Sequence, residues 1–259
     1  MSNPAVLFFA AVFGACIGSF LNVCIHRIPG KESIVSPGSK CPKCGQTIRA
    51  LDNIPVISFI FLMGKCRNCG RKISFRYPAI ELITAGFAVC CVEKYGLSAA
   101  APVVFAFICA LIVVTFIDID HRIIPDAISL PGIFICAFAS HFILGLSIFA
   151  AATGILLGGG SLYLVGLFYR LITGIDGMGG GDVKLLAMCG AFLGWKGVVF
   201  TLFSASIIGS VIGLAIMIAS KKDMKLAVPF GPFLSIGAVL YLFFGDLLIS
   251  WYFSTPHML

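Results

Sequence analysis

Apolar stretches about as long as a bilayer is thick follow one another along most of this 259-residue chain. They run at about 78–93, 99–117, 127–147, 149–169, 183–195, 198–219 and 228–252, behind a first one near the N-terminus. Roughly 20 apolar helical residues cross a hydrocarbon core, so runs of this length read as membrane spans. Composition agrees. Charged residues make up 11% and hydrophobic ones 59%, whereas about a quarter of a soluble domain is charged. The expected fold is an all-α polytopic membrane protein of about eight transmembrane helices. The 183–195 stretch is short for a helix that crosses alone and is expected to start inside the membrane near Asp182.

The first stretch has no basic residue ahead of it, and His26, Arg27 and Lys31 follow it. That polarity is wrong for a cleaved signal, so a retained first span with an outside N-terminus is expected. Behind it lies the one extended polar region, residues 26–76, with ten of the eighteen basic residues and two acids, Glu32 and Asp52. If this loop faces the cytoplasm, alternation puts Arg122, Arg170, Lys184, Lys221, Lys222 and Lys225 on the same side. Only Lys94 and Lys196 then fall opposite, which is the bias of the positive-inside rule. The net charge of +7 is thereby explained by cytoplasmic loops, and nucleic acid is not expected as a partner. The domain reading is a first transmembrane helix at 1–25, a cytoplasmic zinc-binding loop at 26–77 and a transmembrane core at 78–259. No tandem repeat is evident, and the glycines of "TGILLGGGS" (153–161) are expected to serve close helix packing in lipid.

Eleven cysteines fall into two groups. Cys16, Cys24, Cys90, Cys91, Cys109, Cys136 and Cys189 are scattered through apolar spans and read as small hydrophobic filler. The other four form "CPKCG" (Cys41, Cys44) and "CRNCG" (Cys66, Cys69), with 21 residues between the pairs. Two such knuckles, each followed by Gly, predict a tetrahedral four-cysteine zinc site in a ribbon-like loop. A disulfide or redox reading is disfavoured in a cytoplasmic loop. A closed shell of four thiolates leaves no position for a substrate, so the zinc is expected to be structural.

The carboxylates carry the chemistry. Asp118, Asp120 and Asp126 sit in "FIDIDHRIIPD" and Asp182 in "GMGGGDVK". The topology brings both segments to the same membrane face, where carboxylates tend to line a polar cavity or meet a partner. Asp126, following Pro125 and opening a span, fits a helix cap. Two facing carboxylates can share a proton, one acting as base toward a water and the other as acid toward a carbonyl. Peptide hydrolysis then needs no nucleophilic side chain and no metal. Gly179, Gly180 and Gly181 leave room for an extended peptide and are expected to end one helix and aim Asp182. His26, His121, His141 and His257 are dispersed and read as packing or interfacial residues. From the residues alone, a transporter using the acids as a proton or cation relay remains the main alternative, with a scaffold docking partners through its loop as a third.

Taken in order, "CPKCG…CRNCG", "DNIP", "RYPAIEL", "DIDHRIIPD" and "GMGGGDVKLLAM" are similar to the motifs of the bacterial type IV prepilin peptidases, membrane aspartic proteases of the GxGD class. The resemblance implies Asp118 and Asp182 as the catalytic pair, with Asp120, Gly179 and Gly181 in support. It implies cleavage of the short basic leader of prepilins and pseudopilins at the cytoplasmic face of the bacterial inner membrane. Members with the large zinc loop typically also N-methylate the new terminus with S-adenosylmethionine, and Gly64 and Lys65 match loop positions linked to that activity. No Rossmann-type glycine fingerprint supports the methyl transfer independently.

Overall fold

A computed structural model describes residues 3–175, 177, 179–220 and 229–254. Lys221, Lys222, Lys225 and His257, used above in reading charge and chemistry, lie outside the described residues. Among those described there are α-helices, one short 3-10 turn and two isolated bridges, and no strand. The chain divides into two compact bodies, one ending at Val113 and the other beginning at Val114.

In the first body, α1 (Pro4–Arg27) starts at Asn3, whose Oδ1 accepts the Ala5 N–H at 3.0 Å. It buries Gly14, Gly18, Leu21, Asn22 and Ile25, a three- and four-residue spacing that makes one stripe on a helix. That stripe packs on α3 (Arg76–Tyr95), and the Asn22 amide donates to Tyr77 O at 3.2 Å. Between these helices the polar segment holds the 3-10 turn Ala50–Asn53 and a five-residue helix, α2 (Ile57–Phe61). Helix α4 (Ala100–His121) runs through the division between the bodies.

The second body is built around α7 (Gly180–Ser220), against which α5 (Asp126–Phe142), α6 (Ile148–Thr173) and α8 (Gly231–Ser254) pack. Helix α7 is two helices joined at Gly194, whose φ of 71° and ψ of −180° are not helical. Only a residue without Cβ takes that conformation at no cost. Among the described residues, α7 counted as two gives eight helices besides the five-residue α2, the number expected, but the break falls at Gly194 instead of between residues 195 and 198. Pro4–Arg27, Ala100–His121, Ile148–Thr173 and Gly180–Ala219 are long and apolar enough by themselves to cross a membrane.

The 153–161 glycines do what lipid packing requires, in part. A Cβ on Gly154 would collide with the backbone of Gly190, and one on Gly158 with that of Leu186. Helices α6 and α7 therefore touch backbone to backbone, where dispersion contacts replace the missing hydrophobic drive in lipid. Gly160 faces open space and needs no such explanation. Of the seven cysteines read as filler, Cys24, Cys91, Cys109, Cys136 and Cys189 are buried, whereas Cys16 and Cys90 lie on exposed helix surfaces.

Candidate active site and metal centre

Asp118 lies one turn before the end of α4 and is buried, with 5% of its surface exposed. The turn closes behind it, where Arg122 N–H donates to Asp118 O at 2.9 Å and Arg122 takes a φ of 56°. From there residues 123–125 lead directly into α5. Asp182 sits in the first turn of α7, its N–H donating to Gly179 O at 3.2 Å. A carboxylate at a helix N-terminus is favoured by the aligned peptide dipoles.

Asp118 and Asp182 line one cavity of about 270 Å3, together with Arg122, Asp126 and the glycines 179–181. The two carboxylates thus come from different helices, α4 and α7, to one space. At about 30 Å3 per water, the space holds several waters or a short length of extended backbone. Gly181 backs onto Ile124, where a Cβ would come within 2.8 Å of the isoleucine Cβ. Gly179 and Gly180 have no such close neighbour and are exposed at the rim. Asp120 is exposed and is not among the cavity-lining residues.

Two local expectations are corrected. Helix α6 is ended by Gly174, in the left-handed region at φ 73°, and not by the glycine run. Gly180 and Gly181 are already the first residues of α7, so their part is steric clearance, not termination. Asp126 is not a cap, because Pro125 holds the cap position and no side chain bonds to the exposed amides there. Its carboxylate instead pairs with Lys184 Nζ at 2.7 Å and ties the start of α5 to the start of α7. An exposed pair of this kind adds little stability; it fixes the register of two helices at the cavity mouth. His141 behaves as a packing residue, its Nδ1 2.9 Å from Leu146 O.

One neighbour of the site escapes a reading of carboxylates alone. Gly231 N–H, at the start of α8, donates to Asp118 Oδ2 at 3.0 Å. A signal exists in "PFGPF" (229–233), because Pro just inside a helix start marks an N-terminus. A span drawn across it from residue 228 hides the feature. A Cβ on Gly231 would sit 2.6 Å from Asp118 Oδ2 and 3.2 Å from Ile124 Cδ1. Gly231→Ala is therefore expected to displace the Asp118 carboxylate and slow turnover about 10²-fold. Steady-state rates of the folded variant check this, and an unchanged rate would show that the contact does not matter.

The four knuckle cysteines converge, with all four Sγ atoms within 4.8 Å of one another and Cys41 4.0 Å from Cys69. Tetrahedral zinc with bonds near 2.3 Å would hold its sulfurs about 3.8 Å apart, so the cluster fits that ion with small adjustment. The two knuckles repeat each other. Cys41 N–H donates to Gln46 O and Cys66 N–H to Arg71 O, both at 2.9 Å, while Gly45 and Gly70 N–H return to Cys41 O and Cys66 O. Gly45 and Gly70 have φ of 71° and 67°, the reason each knuckle needs glycine behind its second cysteine. The Asn68 side-chain amide also donates to Cys44 Sγ at 3.8 Å, a contact suited to a thiolate ligand. Asp52 braces the second knuckle through a forked contact with Arg67, and the guanidinium holds its carboxyl below the usual range.

Residues 12–95 match the model of the bacterial peptidase A24 N-terminal domain, and residues 105–214 that of the type IV leader peptidase family. A prepilin leader peptidase/N-methyltransferase of Dichelobacter nodosus is 36% identical, over 95% of this chain and 94% of its own. Proteins of that description from Pseudomonas putida and Pseudomonas aeruginosa are 34% and 35% identical, over 92% and 95% of this chain and 90% and 93% of theirs. The chain belongs to the type IV leader peptidase family. No solved structure matches it. In this family member the cavity lies within residues 118–182 and the cysteine cluster within residues 41–69, so each falls inside a different matched region. Gly64 follows α2 in a left-handed turn at φ 66°, its N–H donating to Phe59 O at 2.9 Å, and Lys65 beside it is exposed.

Proposed function

We propose that this peptidase cleaves the basic leader of prepilins and pseudopilins with Asp118 and Asp182 as its dyad. The observation that carries the reading is the shared cavity: two carboxyls from different helices lining one space that admits water. A client's apolar helix packs against the spans and leaves its basic leader on the cytoplasmic side. One carboxylate takes a proton from the bound water as the water oxygen attacks the scissile carbonyl carbon. The other, protonated, donates to the carbonyl oxygen. As the tetrahedral intermediate collapses, the C–N bond breaks and the amine leaves with a proton. Gly179 and Gly181 keep the approach clear, and Asp120 is a substrate-facing charge.

The domain reading assigns peptide cleavage to residues 78–259 and methylation of the new terminus to residues 26–77, around Gly64 and Lys65. S-adenosylmethionine supplies the methyl group, and the names of the relatives support that second activity. The cysteine cluster holds structural zinc. The loop and cavity face the cytoplasm of a bacterial inner-membrane protein, a reading supported by the positive-inside bias. Purified protein in liposomes, given a prepilin-type peptide, is expected to release the leader. A relay protein would instead leave the peptide whole and carry an acid-dependent ion flux, and that result would remove the protease reading.

A further inference from the structure

The 54–63 stretch, "IPVISFIFLM", is an uncharged run in the middle of the most basic part of the chain. In the structure its large side chains turn outward. Ile57, Ile60 and Phe61, spaced as one face of α2, are 50%, 67% and 82% exposed, and Met63 is 82% exposed. The opposite face is used internally, since Phe59 packs edge-on against Phe75 with ring centroids 6.2 Å apart. A water-soluble loop would turn the helix the other way. We propose that α2 is an interfacial anchor, lying in the headgroup–acyl boundary of an anionic bilayer and pinning the cysteine knuckles to the membrane surface.

Three observations select lipid as the occupant. The first is depth. Val56, the residue before α2, donates its N–H at 2.7 Å to the buried carboxylate of Glu81, five residues inside α3. At 1.5 Å per residue that contact lies within about 8 Å of the start of α3. It stands beside Leu82 and Ile83, themselves 53% and 42% exposed on a membrane helix. The second is rigidity. Val56 holds a φ of 60°, a conformation that a β-branched residue adopts only where its surroundings impose it. Helix α2 is therefore fixed at this level and does not hang freely in the loop. The third is charge. Arg49, Lys65, Arg67, Arg71 and Lys72 bracket the apolar stretch along the chain, with Arg67 held by Asp52, a sequence pattern that adds attraction to anionic lipid to burial of apolar surface.

The test places a tryptophan reporter at α2 in a protein whose native Trp195 and Trp251 are replaced by Phe, reconstituted in vesicles of phosphatidylglycerol and phosphatidylethanolamine. Phe61→Trp is expected to be quenched severalfold more by lipids brominated high on the acyl chain than Val35→Trp, another exposed apolar position of the same loop. It is also expected to resist aqueous iodide. One bound metal per chain in each variant certifies the loop fold. Equal lipid quenching at both positions, or iodide access and no lipid quenching at Phe61→Trp, would overturn the anchor. The outcome does not depend on cleavage, so it stands or falls separately from the protease reading.

Discussion

Asp182→Asn is expected to lower leader cleavage by at least about 10³-fold, and Asp118→Asn by a similar factor, because an amide can neither take the water's proton nor hand one to the carbonyl oxygen. The double variant is expected to be scarcely slower than either single one. Residues that act as a unit are strongly non-additive, since losing one partner already disables the other. Single-turnover cleavage of a reconstituted peptide measures all three. Independent, multiplying losses would mean that the carboxylates work separately. A variant retaining a tenth of the activity would remove its residue from the chemistry. Neither change creates a cavity or a clash, so helix content and metal content are expected to stay as they are.

The second large effect concerns the loop. Replacing Cys66 and Cys69 by Ser is expected to remove about one metal equivalent per chain and to open residues 40–72 to proteolysis. Around the cysteines this segment offers almost no buried core of its own: Ile48, Leu51 and Ile54 are exposed. The order of both knuckles then rests on the metal, and structural zinc binds with roughly 10–16 kcal/mol in peptides of comparable simplicity. Metal analysis of purified protein, beside limited proteolysis with and without chelator, checks both halves. Unchanged metal content in the double variant would refute the four-thiolate site.

Much of this arrangement was legible because the membrane imposes coarse rules. Apolar length located the helices, and the paired CxxC spacing located the cysteine cluster, since two residues between thiols leave few other ways to meet one ion. Position at span ends pointed to Asp118, Asp120 and Asp182 alike, and only the family resemblance singled out 118 with 182; in the structure those two line one cavity and Asp120 does not. Finer features depend on contacts that a linear reading does not contain. Gly194 breaks α7 because of its own φ, and a glycine in an apolar run looks the same whether it breaks a helix or packs against one. Asp126 read as a cap until Lys184, 58 residues on, claimed its carboxylate. Gly231 became part of the site only because α8 starts where α4 ends in space. The outward face of α2 was hidden for another reason: its i, i+3, i+4 pattern is that of an ordinary buried helix, and the pattern alone does not say what buries it.

The break at Gly194 leaves the first half of α7, Gly180 to Leu193, only fourteen residues long. At 1.5 Å per residue it reaches about 21 Å, short of the roughly 30 Å of a hydrocarbon core. From Leu185 to Gly194 this half is buried against its neighbouring helices and not against lipid. A rod sheathed in protein need not match the thickness of the bilayer. Its polar first turn, with Asp182, can therefore begin below the level at which a full-length span would end, covered by protein and by the water of the recess.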